Sequence, residues 1–221
     1  MHRRDFLNSV ATSSLMAAIP FSTPLTDAER RAATLPIDDT WDLTWVGRLR
    51  GKSRAVFDSP KVAEGGALFR AVLWREQHAK VFGTPTADLT PVVVFRHEAI
   101  PLVMDDAHWE HIGVGKDLKL KDSSTGKWSK KNPFASADPK APAEMKDYNI
   151  GSFIANGGIV LACNLAFGEI IEQWKDKDKI SDDEATKRAK AHLLPGVILQ
   201  PSGFFAVLKA QDEGCKYMMG S

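Results

Sequence analysis

Cysteine is almost absent from this chain, with two in 221 residues. One disulfide is the most that two can form, so covalent staples do not hold the fold and burial of apolar side chains must. A content of 43% hydrophobic residues over this length is enough for such a core. Net charge is almost absent too: 29 Lys and Arg stand against 28 Asp and Glu, leaving +1. No global field therefore recruits nucleic acid or an anionic membrane, and a basic partner site would have to be local. Beyond the N-terminal segment no stretch approaches the roughly 20 apolar residues of a membrane span. Familiar phosphate and nucleophile motifs are missing as well. "EGGALF" fits neither a Walker loop nor G-x-G-x-x-G and reads as a helix-entry turn, and "QPSGF" lacks the G-x-S-x-G elbow.

The N-terminus carries the first positive signal. "HRRDFLNSVATSSLMAAIP" sets Arg3 and Arg4 ahead of Phe6 and Leu7 and then a run of small, mildly apolar residues, the order of a twin-arginine export signal. Residues 1–35 are accordingly expected to be signal and linker, and 36–221 a single domain. The mature protein is expected in the periplasm or secreted, with no membrane span. Because this route carries chains already folded, it favours a cofactor or an assembly step acquired before export.

From about Trp41 onward strand and helix signals alternate. "SRAVFDSP" predicts a short buried strand from Arg54 to Asp58, ended by turn residues. Leu68, Phe69, Val72 and Leu73 follow at helical spacing, with Gly83 as a C-terminal stop. "PVVVFRH" and "GGIVLAC" are continuous apolar runs, the pattern of strands covered on both faces. Phe167, Ile170, Ile171 and Trp174 make one stripe of a helix that Asn164 is placed to cap. Ser181 and Glu184 form a capping box, Ser202 can cap the helix of "GFFAVLKAQDE" with Gly214 as its end, and "GVILQ" and "CKYMM" are further strands. Strands separated by helices imply an α/β fold with a right-handed, mostly parallel sheet and helices on both faces.

Residues 105–149 interrupt this alternation. A connection of about 45 residues far exceeds the usual four to six, and such connections serve as lids, interaction arms or disordered segments. Trp109 and Trp128 lie in it, and six lysines from Lys116 to Lys131 make it locally basic. A solvated flap or subunit contact and an anion- or partner-binding arm both fit.

"IVLACNLAFGEI", with the later "LLPGVILQPSGFFAVLKAQDEGCKYM", resembles the DsrE/DsrF-like family, in which one strand ends in Ala-Cys and a Leu-Pro-Gly-Val strand and Pro-Ser-Gly helix start complete the sheet. Upstream, "RAVFDSP", "VVVFRHEAIPLVMDDAHWE" and "KNPF" resemble the exported, twin-arginine-tagged members of that group, so the similarity spans most of residues 53–219. The resemblance implies a flavodoxin-like sheet of about five parallel strands and a homo-oligomer. In sulfur-relay members the cysteine at the matching place carries sulfur as a persulfide, which attaches that role here to Cys163, with a protein sulfur donor or acceptor as partner.

The residues themselves give Cys163 two readings. It ends a predicted parallel strand and precedes a helix N-terminus, where ligand crevices lie and where free N–H groups favour a thiolate. Buried free cysteine also simply fills strand ends. His97 ends another predicted strand. In a flavodoxin-like strand order, the strand ending at Asp58 would lie between those ending at His97 and Cys163, leaving the two backbones about 10 Å apart. His97 could then orient the thiolate, with Asp58 and Arg96 as charge partners, or simply bond the start of the long loop. His108 and His111, three apart on a short helix, could face one metal with Asp105 or Glu110, or be surface residues flanking a buried tryptophan. Cys215 begins the last strand, at the edge opposite Cys163. The two are separated by about 16 Å of strand, beyond the roughly 7 Å limit for a disulfide, so none is expected. Two functions follow. One is an exported sulfur carrier using Cys163. The other is a non-catalytic oligomer holding a small ligand, a metal, a haem-like cofactor or a partner.

Overall fold

The computed structural model describes residues 41–137 and 146–221. The expected export signal and linker lie outside the described residues. The chain forms a flavodoxin-like α/β fold around one five-stranded, all-parallel sheet in the order β4-β3-β2-β1-β5. β1 is Ser53–Ser59, β2 Leu89–Phe95, β3 Ile159–Cys163, β4 Val197–Gln200 and β5 Lys216–Met219. Every residue of β2 and β3 is buried, as their unbroken apolar runs predict for central strands. Pro91 sits within β2 without breaking a ladder to β3, because β3 begins only opposite Val92.

From β1 to β4 the chain steps steadily across the sheet, with its helices on one face. These are α1 (Gly66–Phe82), the short α2 (Asp106–Ile112) and α3 (Val114–Asp117), α4 (Ile150–Ala155), α5 (Asn164–Asp178) and α6 (Asp182–Ala191). Phe57, Phe95, Val160 and Ala162 meet Leu68, Val72, Phe153, Phe167 and Ile170 in the larger core. After β4, helix α7 (Gly203–Asp212) crosses the other face and delivers β5 to the far edge beside β1. Val56, Val92, Val94, Ile159 and Leu161 pack there against Ala206, Val207, Ala210, Trp45 and Leu49. Opposite faces for opposite directions of travel keep every crossover right-handed.

Several helix signals hold in detail. Ser181 Oγ accepts from Glu184 N–H, Ser202 Oγ accepts from Phe205 N–H, and Gly83 closes α1 at φ +64. The apolar stripe of α1 is rotated from the expected one: Ala67, Leu68, Ala71 and Val72 are buried, whereas Phe69 is 41% exposed. Small alanines let the helix lie close to the sheet, which turns Phe69 outward against Tyr148.

The segment 105–149 is not a single loop. α2 and α3 occupy its start, Trp109 is fully buried with its Nε1 donating to Pro101 O, and Lys121 and Trp128 form an isolated bridge. Asn132 of "KNPF" ties the arm down. Its buried Nδ2 donates to the carbonyls of Leu102 and Met104, and its Oδ1 accepts from Phe134 N–H.

Candidate functional site at the carboxyl rim of the sheet

The loops leaving β3 and β4 diverge to opposite faces, into α5 and α7. That divergence is the topological switch point, where open α/β sheets form their ligand crevices. Cys163 and Gln200 are register partners there. Cys163 is itself the N-cap of α5, one residue earlier than the expected Asn164: its Sγ accepts from Ala166 N–H at 3.4 Å. The cap sits at the positive end of a 15-residue helix. The side chain belongs to the larger core and is 5% exposed.

Two strands away, Asp58 points from the end of β1 and is 3% exposed. Arg96, the first residue after β2, grips it with two hydrogen bonds, Nε to Oδ1 at 2.7 Å and Nη2 to Oδ2 at 2.8 Å. Tyr217 of β5 donates its hydroxyl to Oδ2 at 3.2 Å. The Asp58 carboxylate raises the Arg96 pKa, and Cys163 lies within Coulombic reach of the same guanidinium. Burial, then the Asp58 charge, raises the Tyr217 pKa, so the phenol stays protonated as a donor. Gly203 at the start of α7 lets the Arg96 stem pass: a Cβ there would stand 2.7 Å from Arg96 Cβ and Cδ. The guanidinium thus stands on the same rim as the thiol, with its Nη1 taking no part in the Asp58 grip. A fixed cation on this rim suits a bound anion.

The strand order corrects the expected neighbours. β2, not β1, lies between the other two strands, so Arg96 and His97 leave the strand adjacent to Cys163. His97 nevertheless does not join the thiol. It opens a 3₁₀ turn at φ +47, is exposed, and no hydrogen bond links it to Cys163. The one-residue difference decides this: Arg96 remains extended and turns back over the rim, while His97 starts the departing turn. Asp58 and Arg96, expected as charge partners of His97, pair with each other instead, in a part-buried bridge.

His108 and His111 do not converge on one point. They flank Trp174 of α5. Trp174 Nε1 donates to His108 Nδ1 at 3.0 Å, and His111 stacks on the indole at 4.6 Å, with Nε2 2.7 Å from Asp178 Oδ1. His192 stacks at 5.0 Å, its Nδ1 held by Asp105. Among the described residues no group of three or more His, Cys, Asp or Glu side chains could hold a metal ion. The cluster locks the arm's first helix to α5 and the end of α6.

Both cysteines are free, and burial pushes the Cys215 thiol up to about 11. A cleft of about 280 Å³ beside β4 is lined by Trp41, Asp42, Asn164, Lys190 and Val197 to Leu199, so the first residue of α5 reaches it. No helix among the described residues is long and apolar enough to cross a membrane.

The chain matches no protein-family model, no curated protein and no solved structure. Residue chemistry and geometry therefore carry the functional argument. Sequence reasoning missed Tyr217 and Gly203, which complete the Asp58–Arg96 unit. The signal for Tyr217 was its place one residue into the last strand, which brings it level with Val56 on the strand bearing Asp58.

Proposed function

We propose that this protein handles sulfane sulfur, with Cys163 as the atom carrier. The observation that carries the reading is the Ala166 N–H donating to Cys163 Sγ at a helix N-terminus on the carboxyl rim of the sheet, with the Arg96 guanidinium within Coulombic reach. A helix N-terminus and a neighbouring cation are the surroundings in which cysteines commonly act as nucleophiles. In the transfer, the Cys163 thiolate attacks the outer sulfur of a donor persulfide R–S–SH. The new Sγ–S bond forms as the R–S bond breaks, and R–S⁻ leaves. Nothing is oxidised or reduced overall, and the reverse attack by an acceptor thiolate discharges the carrier. The motifs that resemble those of the DsrE/DsrF-like family support the same reading.

Export fits this proposal if donor and acceptor share the outer compartment. Arg3 and Arg4 are the residues on which export would depend.

Anaerobic incubation of the full chain with glutathione persulfide, followed by intact-mass and peptide analysis, tests the reading. Gain of one sulfur atom at Cys163, absent from Cys163→Ser and absent at Cys215, is expected. No uptake at Cys163, together with alkylation as slow as that of Cys215, overturns it.

A further inference from the structure

The two edges of the sheet are treated differently. At β4, Gln200 Nε2 reaches out to Asp42 O, and Trp41 and Asp42 lie alongside the strand. At β5, all four residues are exposed, and among the described residues it pairs only with β1. Gly220 N–H donates to Asp58 O, which fixes the parallel ladder: Lys216 and Met218 turn their backbone groups inward, and Tyr217 and Met219 turn theirs outward. An open edge of this kind is a template for another strand, and natural sheets usually blunt it with charge, proline or a bulge. Here only Lys216, at the strand's start, is charged.

The apolar side chains around this edge are uncovered as well. Tyr217 is 43%, Met218 49% and Met219 52% exposed, and α7, which packs against β1 and β5 among other strands, exposes Phe204 at 63%, Phe205 at 37% and Leu208 at 59%. The nearby charges are already paired, Lys209 with Glu213 and Arg70 with the Gly220 carbonyl.

We propose that two copies of this chain join through β5, antiparallel and about a two-fold axis at Met218, to make one continuous sheet. In this register Tyr217 faces the partner's Met219 and Met219 the partner's Tyr217, so all four outward backbone groups of each copy find partners. Lys216 comes opposite the partner's Gly220, and no like charges meet. A two-fold normal to the sheet puts both α7 helices on one side of the seam. Tyr217 and Met219 form its floor, and Phe204, Phe205 and Leu208 its walls. At about 150–250 Å² per aromatic side chain, and somewhat less for Leu and Met, full cover of the six exposures amounts to roughly 500 Å² per copy. Doubled, this reaches the roughly 1,000 Å² that a specific interface needs. The inference stands apart from the sulfur chemistry, so Cys163→Ser keeps the dimer.

Sedimentation velocity of the full chain over a concentration series reads the assembly, and far-UV circular dichroism confirms that each variant folds. The dimer mass is expected. Leu208→Glu, on the outer surface of α7, raises the dimer Kd about tenfold or more. Met219→Pro removes only an outward N–H and does the same. Opposed Met218 Cα atoms about 4.5 Å apart lie within disulfide reach, so oxidised Met218→Cys runs as a covalent dimer on non-reducing gels. A monomer at every concentration, a dimer indifferent to Leu208→Glu, or a dimer that Met218→Cys fails to cross-link overturns the proposal. So does a monomer that instead binds lipid vesicles.

Discussion

Arg96 and Asp58 meet through two parallel hydrogen bonds of 2.7 and 2.8 Å, with side-chain exposures of 22% and 5%. Breaking a buried pair from one side is costly, because the remaining charge loses its partner in a poorly solvated place. Arg96→Met is therefore expected to destabilise by about 3 kcal/mol, near the low end for such pairs because Tyr217 still donates to Asp58. Replacing both, as Asp58→Leu with Arg96→Met, should cost at least about 1 kcal/mol less than the single change. Urea unfolding of the unchanged chain, Arg96→Met and the double variant checks this; equal losses in the single and double variants would contradict it.

Gly203 is coupled to that pair through Arg96. A methyl group at 203 would press on the Arg96 stem at 2.7 Å from Cβ and Cδ. Gly203→Ala should cost about 1–3 kcal/mol, as overpacking does. In an Arg96→Gly background most of the penalty should vanish, because Cβ and every clashing atom beyond it are gone. A penalty unchanged in that background would place the strain elsewhere.

The two thiols form an internal comparison. Cys163 Sγ caps a helix, whereas burial pushes Cys215 up to about 11, leaving almost no thiolate near neutrality. Iodoacetamide at pH 7.5 should label Cys163 well before Cys215 in the folded chain. Cys163→Ala removes a cap acceptor and should lose about 1 kcal/mol, while Cys163→Ser should keep most of it. Peptide mapping at timed intervals and thermal melts provide the two measurements.

Much of this site was legible in the chain. Unbroken apolar runs place β2 and β3 in the middle of the sheet, and the strand ends put Asp58, Arg96 and Cys163 on one rim. Less legible were features set by nonlocal geometry. Strand order depends on which way the chain turns after each strand, so the sequence alone did not put Arg96 next to the Cys163 strand. Backbone conformation separates Arg96 from His97, since one residue stays extended and the next turns to φ +47. Capping by Cys163 rather than Asn164 is a shift of one residue, the usual scale of uncertainty at a helix end. Tyr217 joins Asp58 only because β5 returns to the far edge.

The Trp174 cluster gives a pH dependence whose sign is fixed. Trp174 Nε1–H donates to His108 Nδ1, so the neutral ring carries its proton on Nε2, which is buried without a hydrogen-bond partner. Burial, followed by the charges of His192 and His111 and against that of Asp105, lowers the His108 pKa from 6.5 to about 4. Above pH 6.5 both folded and unfolded chains hold the ring neutral, and it contributes no slope. Between 6.5 and 4 the unfolded chain takes up the proton and the folded chain does not, so stability falls with pH, by on the order of 3 kcal/mol in all. Below about 4 this contribution levels off. His108→Gln, which keeps an acceptor for Trp174, should reduce stability at pH 7.5 yet flatten the decline between 6.5 and 4. Urea midpoints across that range, for both proteins, measure the difference; parallel curves would mean that His108 is protonated as readily inside the fold as outside.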